Sequence, residues 1–181
     1  MVTYMNTSLP SLEEIWAWLD SVSDPEIPIL SVVDLGIVRH VRWTEENEET
    51  DFTTKSQRTQ RSDLTLLVTV TPTYSGCPAM TVIKNDIQRA LQERGIDRVC
   101  IETQLSPAWT TDWMTERGRK RLREYGIAPP EPQAANPSTL IPCPRCGSSD
   151  TRLVSRFGST PCKAFYICNS CLEPFDYFKC H

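Results

Sequence analysis

The chain has 181 residues, a formal net charge of -4 at pH 7 and a hydrophobic fraction of 39%. That length suits one ordinary domain with a small appended module. The acidic balance argues against a protein that binds nucleic acid through bulk electrostatics. No stretch approaches the length of a membrane span, and residues 1–12 lack the basic and apolar regions of a secretory signal, so we expect a soluble, cytoplasmic protein.

The first half of the chain predicts a helix followed by two paired strands. Ser11 and Glu14 form a capping box, and apolar residues then recur on one face, which predicts a helix over residues 12–22. Segments 37–43 and 63–71 are rich in β-branched residues and predict strands. The charged stretch between these strands, residues 44–62, is interpreted as a solvated loop.

A short acidic loop, Asp24-Pro25-Glu26-Ile27-Pro28, separates this helix from the first strand. The carboxylates of Asp24, Glu26 and the later Asp34 are hard oxygen donors that could hold a metal or orient Cys77. In the alternative interpretation, Asp34 and Gly36 form a turn and Asp24 caps a neighbouring amide.

Cys77 stands where a strand gives way to a helix that begins at Pro78 and stops at Gly95. We place Cys77 at the N-cap, where free amides and the helix dipole would favour a thiolate and lower its pKa. Gly76 would allow a metal, cluster or partner thiol to approach. The alternative is a buried cysteine that packs as a small apolar residue.

A third strand over residues 97–105, with Cys100 in the core, and a last helix over residues 111–125 complete the first domain. The helix is rich in basic residues, which form either a solvated face or a docking surface. Trp109 and Trp113 could anchor such a partner or pack in the core. The basic residues are Arg117, Arg119, Lys120, Arg121 and Arg123.

A proline-rich segment, residues 128–142, predicts an extended linker between a first domain, residues 1–127, and a terminal module, residues 143–181. The fold class is therefore α+β, with a small mixed α/β domain followed by a zinc-ribbon-like module. The module carries two Cys-x-x-Cys pairs, a spacing typical of a tetrahedral metal site. These ligands are Cys143, Cys146, Cys168 and Cys171.

Two disulfides are the alternative for this pattern, but a reducing compartment favours metal. We expect structural zinc, with an iron-sulfur cluster as the rival occupant. About 39 residues cannot bury enough apolar surface to fold unaided, so the metal would supply the stability. Cys162, Cys180 and His181 are possible additional ligands, or else packing and terminal residues.

A zinc-ribbon adaptor for nucleic acid or protein, without metal transfer, is the alternative function. It would use basic and aromatic side chains of the module, although their basic excess is small. A hydrolase that uses a cysteine nucleophile and a histidine base has little support, because the candidate bases are only His40 and His181. The adaptor residues are Arg145, Arg152, Arg156, Phe157, Lys163, Phe165 and Tyr166.

The motifs of the first domain, at residues 24–28, 34–36 and 76–78, resemble the SufT-like iron-sulfur assembly family. With Ser106 to Met114 and the terminal Phe175 to His181 added, the chain resembles the accessory proteins of the bacterial phenylacetyl-CoA epoxidase system.

The resemblance implies a non-catalytic maturation factor for this multicomponent oxygenase of phenylacetate catabolism. It also implies that Cys77 holds or hands over iron or an iron-sulfur cluster, as a monomer with a partner's thiols or as a homodimer. The implied client is the iron-sulfur flavoprotein reductase or a di-iron oxygenase component.

Overall fold

The computed structural model describes residues 9–45, 64–130 and 140–179. Most of the predicted loop at 44–62 lies outside these ranges, as do the centre of the predicted linker and the candidate ligands Cys180 and His181. Within the described ranges, no helix has the length and apolar character needed to cross a membrane.

The first sheet contains three strands in the order β1-β2-β3. Strands β1 (Val38–Glu45) and β2 (Leu64–Val70) are antiparallel, as the sequence predicts. Strand β3 (Val99–Thr103) is parallel to β2 and is reached through helix α2 (Ala79–Gln92). Two parallel strands need such a crossover connection, and here α2 provides it and covers the sheet. The loop that leads into α2 therefore starts at the carboxyl end of β2.

Helix α1 (Leu12–Leu19) begins with the predicted capping box. The Glu14 amide donates to Ser11 Oγ over 3.2 Å, and the Ser11 amide donates to Glu14 Oε2 over 2.8 Å. The helix ends three residues before the predicted residue 22. The Val22 carbonyl instead accepts a backbone hydrogen bond from the Val32 amide (2.9 Å), so the chain pairs with the loop before β1.

Helices α1 and α2 bury their apolar faces against β2. Ile15 of α1 and Ile83 and Ile87 of α2 share one hydrophobic core with Leu66 and Val68. The spacing by four along α2 places its apolar side chains on one face, as expected from the helical period. The edge strand β3 is less covered, and Cys100, predicted to be in the core, is exposed.

Helix α3 (Glu116–Tyr125) follows a short 3-10 turn (Thr111–Trp113) and ends at Gly126. Gly126 has φ 92°, a left-handed conformation that glycine adopts without steric cost and that commonly closes helices. The predicted helix over residues 111–125 is therefore confirmed only from Glu116, because Met114 and Thr115 are extended and separate the 3-10 turn from α3.

The second sheet has the order β4-β7-β6-β5. Strand β4 (Ile127–Ala128) directly follows α3 and pairs in parallel with β7 (Pro174–Phe178). Strands β5 (Thr151–Ser155) and β6 (Lys163–Cys168) complete the sheet in antiparallel order. The first residue of the predicted linker thus belongs to the sheet of the terminal module.

The terminal module packs directly against the first domain. Phe178 of β7 and Cys162, just before β6, are buried in the same hydrophobic core as α1, α2 and β2. The ring of Phe178 meets Trp109 edge to face, with centroids 6.0 Å apart. Because a buried phenylalanine contributes several kcal/mol, about 3–5 by truncation, this contact holds the two modules together.

Asp34 is a buried ionic junction between the loop before β1 and helix α3. Its carboxylate is fully buried and accepts from Arg117 Nε (2.7 Å), Arg121 Nη1 (2.7 Å) and Thr115 Oγ1 (2.8 Å). Burial opposes ionisation of this carboxyl, but hydrogen bonds from Arg117 and Thr115 outweigh it and lower the pKa of Asp34.

We expect Asp34→Asn to lower the free energy of unfolding by about 2 kcal/mol at pH 7, because the buried carboxylate loses charge-assisted hydrogen bonds from two half-exposed arginines. The folded-state pKa of Asp34 is depressed, so its stabilisation is present above the ordinary carboxyl pKa and is lost as pH falls through the folded value. The difference between wild type and Asp34→Asn, measured by urea unfolding, should therefore shrink below about pH 4.

Asp86→Asn is the matched control, since Asp86 pairs with the exposed Arg89 on the surface of α2. Asp86→Asn should lower the free energy of unfolding by less than about 1 kcal/mol. Equal costs for the two variants would contradict the structural role assigned to Asp34.

Candidate metal centre and cysteine site

The first Cys-x-x-Cys pair forms a tight turn that aims both thiols to one side. The Gly147 amide donates to the Cys143 carbonyl and the Cys143 amide donates to the Ser148 carbonyl, each over 2.9 Å. Gly147 has φ 74°, so the chain can reverse directly after Cys146.

The second pair repeats this turn with a different residue at the corner. The Leu172 amide donates to the Cys168 carbonyl and the Cys168 amide donates to the Glu173 carbonyl, each over 3.0 Å. Leu172, just after Cys171, has φ 62°. A left-handed conformation costs leucine more than it costs glycine, so this turn keeps its geometry against local strain.

The two turns bring four sulfur atoms within 4.8 Å of one another. Cys143 Sγ lies 3.8 Å from Cys171 Sγ, and Cys146 Sγ lies 3.6 Å from Cys168 Sγ. Metal-sulfur bonds of about 2.3 Å in a tetrahedron separate the sulfurs by about 3.8 Å, whereas a disulfide bond is about 2.05 Å long. The residues therefore fit one tetrahedral metal ion, and these four cysteines do not form the two disulfides of the alternative interpretation.

Backbone amides donate to three of the four sulfurs. The amide of Cys171, and that of Ser170 less strongly, donates to Cys168 Sγ and lowers the pKa of this thiol to about 7. The Ser148 amide donates to Cys146 Sγ and the Glu173 amide to Cys171 Sγ, but burial and the neighbouring cysteine thiols raise the pKa of both of these thiols. Amide donors of this kind stabilise metal-bound thiolates from outside the ligand set.

Cys77 lies in the loop between β2 and α2, with its side chain partly exposed. The N-cap of α2 is Pro78, so Cys77 stands one residue before the predicted cap position. The Met80 amide donates to the Cys77 carbonyl over 3.2 Å, and the Cys77 amide donates to the Tyr74 carbonyl over 3.3 Å. Gly76 has φ 83°, and its backbone borders open space.

The predicted acidity of Cys77 is wrong, because the pKa of its thiol is raised. Burial is the largest cause, and the nearby carboxylates of Glu26 and Asp24 add to it. Hydrogen bonds from the Ala79 amide and the Tyr74 hydroxyl act in the opposite direction without reversing the shift. The thiol is therefore protonated near neutral pH.

Asp24 shapes the acidic loop. Its Oδ1 accepts from the amides of Glu26 (2.9 Å) and Ile27 (2.7 Å), which is the capping arrangement of the alternative interpretation. The carboxyl is 7% exposed, and burial raises its pKa. Asp24 thus fixes the backbone that presents Glu26.

Glu26 lies between the two modules. Its Oε2 accepts a hydrogen bond from Cys162 Sγ over 3.4 Å, and its negative charge raises the pKa of the Cys77 thiol. Of the three carboxylates predicted for the Cys77 site, the structure brings Asp24 and Glu26 to it, whereas the oxygens of Asp34 bind the arginines of α3.

The basic residues of α3 are mostly engaged within the protein. Arg117 and Arg121 bind Asp34, and Arg119 is buried and donates to the carbonyls of Thr111 and Pro130. Arg117 and Arg121 remain 47% and 43% exposed, and Lys120 pairs with Glu124 over 3.7 Å, so Arg119 is the basic residue that the structure removes from the predicted docking surface.

Both tryptophans considered as anchors for a partner have internal contacts. Trp109 is buried and its indole donates to the Leu35 carbonyl over 2.9 Å. Trp113 is partly buried, and its ring lies 3.5 Å from the Arg39 guanidinium carbon. Core packing is the role that these contacts define.

Of the basic residues considered for a nucleic-acid adaptor, Arg152 and Arg156 are exposed, whereas Lys163 and Arg145 have contacts within the protein. Lys163 is buried at 5% exposure, and Arg145 pairs with Glu173 over 3.2 Å. Lys163 is instead a nearby positive charge that acts to lower the pKa values of Asp24 and Cys162.

Sequence reasoning missed Tyr74 as a member of the Cys77 site. The residue lies three positions before the cysteine in the same loop, and its hydroxyl interacts with the thiol. Its position in the Thr-Tyr-Ser-Gly-Cys run is a signal that could have suggested it.

Comparison with known proteins identifies a zinc ribbon domain in the last part of the chain. The sequence pattern of the PaaD zinc beta ribbon domain matches residues 128–179, which starts at strand β4. The chain is also 47% identical, over 94% of both chains, to a protein of Escherichia coli (strain K12) that is named as a subunit of 1,2-phenylacetyl-CoA epoxidase.

Three solved structures are similar to part of the chain. A domain of unknown function, DUF59, from Bacillus anthracis covers 61% of this chain and 89% of its own, at 23% identity and a TM-score of 0.47. A conserved hypothetical protein from Thermotoga maritima covers 62% and 94%, at 24% identity and a TM-score of 0.45. A Mycobacterium tuberculosis protein described as associated with Fe-S complex assembly and repair covers 67% and 94%, at 29% identity and a TM-score of 0.35.

An α+β domain joined through one core to a four-cysteine β ribbon defines a two-module protein of the zinc-ribbon class. The identity to the Escherichia coli epoxidase protein over nearly the whole chain shows that the protein belongs to the PaaD family.

We expect the purified protein to carry one metal ion per chain at the four-cysteine site. Cys168→Ser should lose this ion, because the site then lacks one of four thiolates and metal binding is coupled to folding of the ribbon. Elemental analysis of Cys100→Ser, which changes an exposed cysteine on β3, provides the control. Retention of a full equivalent of metal by Cys168→Ser would contradict the ligand assignment.

Proposed function

We propose that the protein is a non-catalytic accessory factor of phenylacetyl-CoA epoxidase that delivers iron or an iron-sulfur cluster through Cys77. The name of its Escherichia coli relative supports the link to the epoxidase. The observation that carries the transfer role is the partly exposed Cys77 thiol beside the carboxylates of Glu26 and Asp24. Thiol and carboxylate together suit iron, which accepts both kinds of donor.

The position of Cys77 favours transfer over permanent binding. The Cys77 side chain is partly exposed, so a partner can reach it. A nucleophilic cysteine needs a lowered pKa or an adjacent base, whereas burial and two carboxylates act against ionisation of this thiol. One exposed cysteine with few further donors holds a metal weakly, which a donor protein requires.

The ribbon cysteines have a different function from Cys77. Their sulfurs fit a single ion, whereas a cluster with two irons and bridging sulfides would need its cysteine pairs further apart. Four thiolates complete the tetrahedron and leave no open position. Zinc is therefore the proposed occupant, with a structural role, and equimolar zinc without sulfide is the expected composition.

The client is proposed to be the reductase, which carries an iron-sulfur cluster, or a di-iron oxygenase component. Both need iron in some form, so the metal content of each component after co-expression distinguishes them. A factor that serves the reductase should change its iron and sulfide together, whereas a factor that serves the oxygenase should change iron alone.

Co-expression of the epoxidase components with wild type or Cys77→Ala tests the transfer role. We expect Cys77→Ala to lower the iron content of one component and the epoxidase activity severalfold, because the thiol that carries the iron is absent. Cys100→Ala, which removes another exposed thiol, should support wild-type levels.

Full maturation of every component by Cys77→Ala would exclude transfer through this residue. Zinc content of the variant serves as the check that the ribbon is intact.

A further inference from the structure

The outer edge of strand β3 is open in the part of the chain that the structure describes. β3 is the last strand of the sheet β1-β2-β3, and no described strand pairs with its outer side. Three of its five residues, Cys100, Glu102 and Thr103, are exposed. An open edge presents a row of backbone amides and carbonyls that can pair with another strand.

The other strand edges in the described ranges have features that oppose such pairing. Strand β1 carries Arg39 and Arg42 and has an irregular register next to Val38. Strand β5 carries Arg152 and has an irregular register next to Ser155, and β4 has two residues. Strand β3 contains no lysine, arginine or proline and pairs with β2 in continuous register. It is therefore the edge best suited to accept another strand.

The hydrogen bonds to β2 show which backbone groups of β3 face outward. The Arg98 carbonyl accepts from an amide of β2 over 2.9 Å, and the Gln104 amide donates to a carbonyl of β2 over 2.8 Å. Because backbone direction alternates along a strand, the even-numbered residues between them also point to β2. The amides and carbonyls of Val99, Ile101 and Thr103 therefore point to the open edge.

We propose that the protein forms a homodimer in which β3 pairs antiparallel with β3 of a second copy, about a twofold axis at Ile101. Val99 of each copy then forms a hydrogen-bonded pair with Thr103 of the other, and the two Ile101 residues form the central pair. The two three-stranded sheets become one sheet, and the twofold axis closes the assembly at two copies. The dimer does not depend on the proposed transfer function.

The strand is complementary to itself in this register. Glu102 lies opposite Cys100 of the second copy, so no like charges face each other directly. A diagonal neighbour of Glu102 is Arg98 of the second copy, and the right-handed twist of paired strands brings this diagonal closer than the one to the second Glu102. A second copy thus supplies both the hydrogen bonds and the opposite charges that suit this edge, each of them twice.

This dimer keeps the two Cys77 sites apart. Strands β2 and β3 are parallel, and the loop of Cys77 follows the carboxyl end of β2. Antiparallel pairing turns the carboxyl ends of the two β3 strands in opposite directions, so the two Cys77 residues lie at opposite ends of the joined sheet. Each copy then meets a client by itself, and the second copy adds no thiol from Cys77 to the same metal.

Disulfide cross-linking of Glu102→Cys tests the register of the pairing. Opposite residues that are not hydrogen bonded in an antiparallel pair have Cα atoms about 4.5 Å apart, within the range of a disulfide. Oxidation by copper phenanthroline and oxygen, which takes two electrons and two protons from each pair of thiols, should join the introduced thiol to Cys100 of the second copy. We expect a covalent dimer that reductant separates.

The matched control is Glu102→Cys combined with Cys100→Ser. The two introduced thiols are then diagonal neighbours with Cα atoms about 7–8 Å apart, too far for an unstrained disulfide. This variant should remain monomeric on a gel without reductant.

Thr103→Pro tests the hydrogen bonds of the interface without removing one from the sheet. The Thr103 amide faces outward, a position at which an edge strand tolerates proline. Because the twofold axis removes two interface hydrogen bonds, the dissociation constant of the dimer, measured by sedimentation equilibrium, should rise by about tenfold or more. Thr103→Ala keeps the amide and should dimerise as wild type does, and far-ultraviolet circular dichroism reports folding.

Two results would overturn the proposal. Wild type that stays monomeric at every concentration excludes the dimer. A dimer that Thr103→Pro leaves intact, together with no cross-link in Glu102→Cys, places the interface elsewhere on the protein. The iron content of the client after co-expression is measured separately, so failure of the dimer leaves the transfer proposal standing.

Discussion

The structure depends on the packing of a metal-binding ribbon against the core of the first domain. Phe178 and Cys162 belong to the hydrophobic core that also contains Ile15 and Ile87, and strand β4 enters the ribbon sheet directly from helix α3. A ribbon of this size is expected to need its metal in order to fold. The shared core therefore couples a cysteine-bound metal to the position of every residue that the ribbon brings to the first domain.

Strand β6 is the physical link between the two cysteine sites. It ends at Cys168, a ribbon ligand, and begins directly after Cys162, which contacts Glu26. A six-residue strand that is paired on both sides has little conformational freedom. Metal bound at Cys168 would therefore also fix the end of the strand next to Cys162. Metal bound by the ribbon would then hold Cys162 in its position against Glu26.

Local patterns predicted most of the elements and the ribbon ligands, since caps, strand composition and Cys-x-x-Cys spacing act over short distances. The capping box at Ser11 and the stop at Gly126 are examples. The roles of Asp34 and Cys162 depend on partners more than 80 residues away in the chain, at Arg117 and Glu26, and no local pattern indicates them. The acidity expected of Cys77 failed for a similar reason, because tertiary burial outweighs the adjacent helix.

Hydrogen exchange with and without the ribbon metal tests the coupling of the two modules most directly. The amides of Glu26 and Ile27, which donate to Asp24, report the loop that faces Cys162, and the core amides of β2 provide an internal reference. Chelation of the metal is predicted to speed exchange at the two loop amides while β2 stays protected. Unchanged protection of the loop, with β6 exchanging freely, would contradict the account.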